Sequence, residues 1–75
     1  MVRLPRISGQ DVVRGLRRLG FVVVRQRGSH VILKKETHEG AVGCAVPLHK
    51  ELALGTLHGL LRQAKVDPEE FLEAL

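Results

Sequence analysis

Three short β-rich segments, joined by connections of a few residues, constrain the fold of this chain most strongly. They cover residues 21–27, 30–35 and 41–46, and they are separated by Gly28-Ser29 and by a polar tract from Thr37 to Gly40. β-Branched residues are concentrated in the first of them, as is typical of strands. Connections this short suit antiparallel strands, because a parallel pair needs a crossover of a dozen or more residues. We therefore expect a three-stranded antiparallel meander.

A helix is predicted before the sheet, over residues 9–19. Its apolar positions repeat with helical spacing at Val12, Leu16 and Leu19. Ser8 is a suitable N-cap, and Asp11 stands where the acid of a capping box belongs. Gly20 fits the left-handed position that follows a helix.

Two more helices are predicted after the sheet. The first lies within about residues 55–65, and Gly55 and Thr56 are both possible N-caps. The second is short, with Asp67 as its cap and Pro68 at its first position. The chain is therefore expected to be one α+β domain over residues 1–75. Its expected order is α-β-β-β-α plus a short C-terminal helix.

The predicted sheet has one face for the core and one face open to solvent. In the second strand, alternation places Val31 and Leu33 on one face and His30, Ile32 and Lys34 on the other. An antiparallel sheet commonly buries one face under helices and leaves the other exposed. We expect the face with His30 and Lys34 to be the open one.

Charge is distributed unevenly along the chain, although the net charge is only +4. Residues 1–35 contain nine Lys and Arg residues against one acidic residue, Asp11, whereas residues 36–75 contain three against seven. A basic half rich in Arg favours a polyanionic partner, although a basic solvated surface would have the same composition. A membrane surface fits less well, because the cations are spread over several elements.

The sequence offers no signal that would place the protein outside the cytoplasm. No segment approaches the roughly 20 apolar residues of a membrane span, and the N-terminus lacks the apolar run of a signal peptide. Cys44 is the single cysteine, so no internal disulfide can form. It alternates with Val42 and Val46 and is best interpreted as a small core residue. We expect a cytoplasmic protein without a membrane partner.

Four histidines raise the question of a metal site or an active site. His30, His38, His49 and His58 lie too far apart in sequence to form the close ligand pair of a zinc finger. The acidic residues concentrate in the C-terminal half and form no evident magnesium site. We therefore expect neither a metal nor another cofactor.

His30 is the strongest candidate for chemistry. It follows Gly28-Ser29 at the start of a strand and lies near Arg25 and Arg27. Histidine is suited to moving protons near neutral pH, and neighbouring cations can hold a phosphate. The alternative is that His30 is a surface or hydrogen-bonding residue, as histidines beside turns often are. His49, ahead of the second helix, is the second candidate, with a loop histidine that caps or packs as its alternative.

Four motifs, taken together and in order, carry a family resemblance. They are Ser8-Gly9 opening a helix that ends in Leu19-Gly20-Phe21; Arg25-Gln26-Arg27-Gly28-Ser29-His30; Val46-Pro47-Leu48-His49-Lys50-Glu51-Leu52; and Gly55-Thr56-Leu57 through Leu60-Leu61-Arg62-Gln63-Ala64, followed by Glu70-Phe71-Leu72. Gly-Ser-His after a strand is a weak signal alone, but the set is specific. The chain resembles the HicA-type mRNA interferase toxins from about residue 7 to residue 75.

The resemblance implies a fold, an activity and a partner. The fold would be similar to double-stranded-RNA-binding domains, and the activity would be cleavage of mRNA. Separately, we expect the toxin alone to be monomeric. A HicB-type antitoxin would block the active site. The family's catalytic histidine corresponds to His30, and no catalytic role is carried over to His49. Residues expected to contact RNA are Ser29, Arg25, Arg27, Lys34, Lys35 and Lys50.

Two other functions remain compatible with the residues. The first is a non-catalytic RNA-binding module of the double-stranded type, although such modules span about 16 base pairs and this chain has few candidate contacts beyond its basic half. The second is a protein-interaction domain whose basic half docks an acidic partner. RNA cleavage in EDTA would separate the first from a nuclease, and salt-sensitive RNA binding without a partner would argue against the second.

Overall fold

The computed structural model describes residues 3–75 and confirms the predicted α+β order. The elements are α1 (Gly9–Arg18), β1 (Val22–Arg27), β2 (His30–Thr37), β3 (Gly40–Pro47), α2 (Leu54–Ala64) and α3 (Pro68–Glu73). The three strands form one antiparallel sheet in the order β1-β2-β3. In the part of the chain that the structure describes, no helix is long and apolar enough to cross a membrane.

Both ends of α1 form as its sequence predicts. The Ser8 side chain accepts a hydrogen bond from the Asp11 backbone N–H at 3.1 Å, and the Asp11 carboxylate accepts one from the Ser8 N–H at 3.4 Å. A hydrogen bond from Arg14, followed by those from Ser8, lowers the pKa of Asp11. Gly20 adopts φ +99° just after the helix, and the Phe21 N–H reaches back to the Leu16 carbonyl at 3.0 Å.

The helices cover one face of the sheet. Val31 and Leu33 of β2 are buried in a cluster with apolar residues from all three helices, including Leu16, Leu57 and Phe71. On the opposite side of β2, His30 and Lys34 are exposed and Ile32 is half-buried. The predicted division of β2 into a core face and an open face is confirmed.

β1 contains a β-bulge that the sequence pattern did not reveal. Val23 pairs with Leu33 and Arg25 pairs with Ile32, so that Val24 is an extra residue between them. The bulge shifts the alternation by one residue. Phe21 therefore enters the core, where it is 3% exposed, while Arg25 stays on the face of Ile32.

The hairpin between β2 and β3 is tighter than predicted. We expected a loop from Thr37 to Gly40, but both residues belong to strands and pair with each other. The Thr37 hydroxyl donates to the Gly40 carbonyl at 2.6 Å and accepts from the Glu39 N–H at 3.2 Å. Gly40 adopts φ +115°, which a residue with a Cβ rarely does, and this lets a two-residue turn close the hairpin.

The start of α2 differs from both predicted alternatives. Neither Gly55 nor Thr56 is the N-cap, because Ala53 holds that position without a side-chain cap bond. The Leu57 N–H donates to the Ala53 carbonyl at 3.0 Å, so Gly55 and Thr56 lie inside the first turn. The early start places Leu57 in the core with no exposed surface.

Two further predictions for the C-terminal half are confirmed. The Asp67 carboxylate accepts from the Glu69 N–H at 2.8 Å at the start of α3, with Pro68 in the first turn. Cys44 is buried in the core, 7% exposed, and burial raises the pKa of its thiol to about 11. A thiol held protonated in this way is a poor nucleophile near neutral pH.

Candidate functional site

His30 is the first residue of β2 and follows a two-residue hairpin turn. The turn consists of Gly28 and Ser29, and Gly28 adopts φ +57°, as a turn with a left-handed first central residue requires. The Gln26 side-chain amide also donates to the Gly28 carbonyl at 3.0 Å. Because the turn closes the hairpin directly, Arg27 pairs with His30.

Cross-strand pairing brings three cations onto the face that carries His30. Opposed residues of an antiparallel pair share a face, so Arg27 lies beside His30 and Arg25 lies beside Ile32. Lys34 lies on the same face, because it is separated by an even number of residues from His30 along β2. All three cations and His30 are exposed. This group of His30, Arg25, Arg27 and Lys34 is called the basic face below.

The segment after β3 lies at the same end of the sheet as His30. His30 pairs with Pro47, and the next residue, Leu48, donates its N–H to the Ser29 carbonyl at 2.6 Å. The Gly9 N–H, at the start of α1, donates to the His49 carbonyl at 2.9 Å. Ser29 and the His49-Lys50 segment therefore lie close to the His30 end of the basic face.

His49 precedes the second helix, as the sequence predicts, and α2 begins at Leu54. Its backbone also contacts the start of α1, through Gly9, and its side chain is exposed. The two other histidines, His38 in the β2–β3 turn and His58 on α2, are exposed and outside the basic face.

Lys35 is separated from the other predicted RNA-contacting residues. It is an odd-numbered residue of β2, like Val31 and Leu33, and therefore lies on the face that the helices cover. Its ammonium group lies 5.7 Å from the centre of the Phe21 ring, close enough for a cation–π contact. The structure does not bring Lys35 together with His30.

The cations of the basic face have no acidic partners in the described structure. The ion pairs found among residues 3–75 are Arg6–Glu51, at 3.6 Å, and Arg14–Asp11, at 2.7 Å. Within the same residues, no three His, Cys, Asp or Glu side chains come together as a group that could hold a metal ion. Uncompensated cations around an exposed histidine can attract and position an anionic group.

A comparison with protein families gives this arrangement its context. The family model of the HicA toxin of bacterial toxin–antitoxin systems matches residues 9–66. The chain belongs to the HicA toxin family. The match runs from the first residue of α1 through the end of α2, so it includes the sheet and the whole basic face. No curated protein matched the chain.

Membership in the HicA toxin family confirms the family resemblance and identifies the chain as the toxin of a toxin–antitoxin pair. An antitoxin is therefore its partner. The sequence had suggested His30, Arg25 and Arg27 as neighbours, and the HicA fold places them on one face. What sequence reasoning missed is the bulge at Val24. The one available signal was Phe21, an apolar residue that strict alternation would have put on the same face as Arg25.

Proposed function

We propose that this HicA toxin is a metal-independent endoribonuclease that cleaves mRNA in the cytoplasm, with His30 as its general acid or base. The observation that carries the proposal is the position of His30 on an exposed sheet face beside Arg27, Arg25 and Lys34. Phosphodiester cleavage needs a group that moves protons and cations that stabilise the charge developing on the phosphate. The basic face supplies both kinds of group.

In the proposed reaction, the substrate itself provides the nucleophile. The ribose 2′-oxygen attacks the adjacent phosphorus, the bond from phosphorus to the 5′-oxygen breaks, and a cyclic phosphate and a free 5′-hydroxyl result. His30 accepts the proton of the 2′-hydroxyl or donates one to the departing 5′-oxygen. Arg25, Arg27 and Lys34 hold the phosphate, and Ser29 orients the imidazole or the substrate.

The remaining predicted RNA contacts have unequal support. Lys50 belongs to the segment that docks near Ser29, so we propose that it binds a phosphate flanking the cleaved one. Lys35 lies on the helix-covered face, so it contacts RNA only if the RNA strand continues around the edge of the sheet. Its contribution to RNA affinity is accordingly expected to be the smallest of the predicted set.

Purified protein is expected to degrade single-stranded RNA in EDTA and to leave DNA of the same sequence intact. DNA lacks the 2′-hydroxyl that serves as the nucleophile, and no proposed step uses a metal ion. The measurement is gel analysis of labelled RNA and DNA oligonucleotides incubated with excess chelator. Activity that disappears in EDTA and returns with magnesium or zinc would overturn the metal-free mechanism. RNA binding without cleavage would favour the non-catalytic module.

We further propose that the antitoxin is of the HicB type and that it covers His30. The cations of the basic face, unpaired within the described structure, attract acidic groups on a protein as readily as they attract RNA. Coexpression with the protein encoded by the adjacent reading frame, followed by structure determination, tests this. Acidic or polar antitoxin groups are expected against Arg25 and Arg27, with His30 buried. A complex that leaves His30 open to solvent would contradict the proposal.

A further inference from the structure

A shallow hollow lies next to the basic face, where β2 and β3 meet a residue of α2. Its volume is about 450 Å³, and it is widely open to solvent. It is lined by Ile32, Lys34, Gly43 and Ala45 of the open face, by Leu33 and Cys44 between them in β2 and β3, and by Gln63 of α2. Ile32 pairs with Ala45 and Lys34 pairs with Gly43, and the Leu33–Cys44 pair lies between them.

The lining of the hollow combines apolar and polar groups in a particular arrangement. Ile32 and Ala45 are half-buried aliphatic residues that present apolar surface. Gln63, an exposed residue of α2, contributes an amide that can both donate and accept hydrogen bonds. Lys34 contributes the only charge among the lining residues. An apolar floor, one amide and one cation suit a flat heterocycle attached to a phosphate.

The hollow is kept open by a glycine. A Cβ at Gly43 would lie 2.8 Å from the Leu33 carbonyl oxygen and 3.2 Å from the Lys34 Cγ, so a side chain there would press against Lys34. Because Gly43 has no side chain, the Lys34 stem and the floor beside it stay accessible. The close approach of Gly43 to Leu33 and Lys34 requires a glycine, and the missing side chain also leaves the hollow open.

The described residues offer no exposed Phe, Tyr or Trp on which a base could stack. Proteins that bind single-stranded RNA often stack its bases on aromatic rings. The two aromatic residues of this chain, Phe21 and Phe71, are 3% and 0% exposed and belong to the core. A base that leaves its stack on this surface rests on aliphatic groups, on an arginine or on a histidine, and the hollow provides the aliphatic site.

We propose that the hollow holds one nucleobase of the RNA strand and that Gln63 is a specificity-determining residue that hydrogen-bonds to the edge of that base. This rests on the proposed RNA-cleaving function. Ile32 lies two residues from His30, and same-face residues of a strand are about 7 Å apart. The base in the hollow therefore belongs to a nucleotide that borders the cleaved bond, and the phosphate that Lys34 holds is the one at that bond.

Cleavage-site sequencing tests the proposal. Wild type, Gln63→Ala, Ala45→Leu and the matched control Gln10→Ala are each incubated with a pool of random-sequence oligoribonucleotides, and the cut ends are sequenced. Gln10 is an exposed glutamine on α1, outside the hollow. Wild type and Gln10→Ala are expected to prefer one base beside the cut. Gln63→Ala should reduce that preference roughly 3- to 10-fold, the contribution of one net hydrogen bond.

The two hollow variants are expected to differ from each other. Ala45→Leu fills the floor, so it should lower cleavage of all sequences, whereas Gln63→Ala should change the preference more than the total rate. Melting temperatures close to wild type verify that both variants fold. An unchanged base preference in Gln63→Ala, or a wild type with no preference, would overturn the proposal.

A binding measurement separates failure of this proposal from failure of the proposed nuclease function. Isotopically labelled His30→Ala protein is titrated with short oligoribonucleotides of uridine, adenosine, cytidine or guanosine and followed by NMR. Shifts of the Gly43 and Ala45 amides and of the Gln63 side-chain amide, unequal among the four oligonucleotides, are expected whether or not wild type cleaves RNA. Shifts confined to Arg25 and Arg27 would show that the hollow binds no base.

Discussion

His30→Ala is expected to abolish RNA cleavage while leaving the fold in place. Removing a general acid or base typically lowers a rate by about 10²–10⁴-fold, equivalent to roughly 3–5 kcal/mol of barrier. His30 is exposed at the edge of the hairpin turn, so its truncation creates no cavity in the core. Exposed substitutions of this kind usually change the free energy of unfolding by within about 0.5 kcal/mol.

RNA affinity is expected to survive the same substitution. Affinity for RNA rests mainly on contacts between cations and phosphates, and Arg25, Arg27 and Lys34 are unchanged in His30→Ala. The variant should therefore bind RNA within a few-fold of wild type and show the same dependence on salt concentration. The double variant Arg25→Ala/Arg27→Ala should instead weaken RNA binding and make that binding less dependent on salt concentration.

The chain contains its own controls for the histidine experiment. His38→Ala and His58→Ala remove exposed histidines outside the basic face and should leave cleavage unchanged. His49→Ala removes the histidine of the segment that docks near Ser29. Cleavage rate, melting temperature and RNA affinity are measured on all four variants. A His30→Ala protein that melts normally and still cleaves RNA would refute the catalytic assignment, and loss of activity in His49→Ala would then point to His49.

The open face of β2 could be predicted from sequence because its signals are local. Val31 and Leu33 alternate with His30, Ile32 and Lys34, and alternation maps directly onto the two faces of a strand. The Gly28-Ser29 turn fixes the pairing of Arg27 with His30, since a two-residue turn leaves no other register. These features need no information from distant parts of the chain.

The bulge in β1 could not be predicted in the same way, because it depends on two requirements at once, the register of the hairpin and the packing of the core. The hairpin turn fixes Arg25 and Arg27 on the face of His30. The core requires Phe21 on the opposite face, although strict alternation would place it with the two arginines. Inserting Val24 as an extra residue satisfies both requirements. A sequence pattern shows that conflict but does not show at which residue the strand bulges.

The placement of His49 and Lys35 depended on tertiary contacts as well. Residues 49–52 dock on Gly9, the first residue of α1, and on Ile7 just before it, and this holds His49 beside α1. Lys35 is drawn to the helix-covered face by its position in β2, where its stem and ammonium group meet Phe21. Motif-based reasoning grouped Lys35 with the residues expected to contact RNA and kept His49 as a second catalytic candidate, without these contacts.

Gly9→Ala is expected to cause the largest loss of stability among single substitutions that add one methyl group. A Cβ at Gly9 would lie 2.0 Å from the Pro47 carbonyl oxygen and 2.9 Å from the Leu48 Cα. These are backbone atoms, so they cannot rotate away, and α1 must separate from the end of β3. The separation would also break the hydrogen bond from the Gly9 N–H to the His49 carbonyl.

The expected cost combines overpacking with a lost buried hydrogen bond. Each of these effects typically costs about 1–3 kcal/mol, so we expect a decrease of about 3 kcal/mol or more in the free energy of unfolding. For a domain of this size, that corresponds to a melting temperature lower by more than about 10 °C. Thermal unfolding followed by circular dichroism measures it directly.

Gly59→Ala is the matched control, because it makes the same chemical change where space is available. A Cβ at Gly59 has no neighbour within 4 Å, and the residue lies in the interior of α2. Alanine favours a helix over glycine by about 0.5–1 kcal/mol, so Gly59→Ala should raise the melting temperature by a few degrees. The two glycine substitutions are expected to shift the melting temperature in opposite directions, and this difference tests the contact between α1 and the end of β3. A Gly9→Ala protein with the same melting temperature as wild type would mean that α1 does not pack closely against the end of β3. The segment carrying His49 and Lys50 would then not be held beside His30.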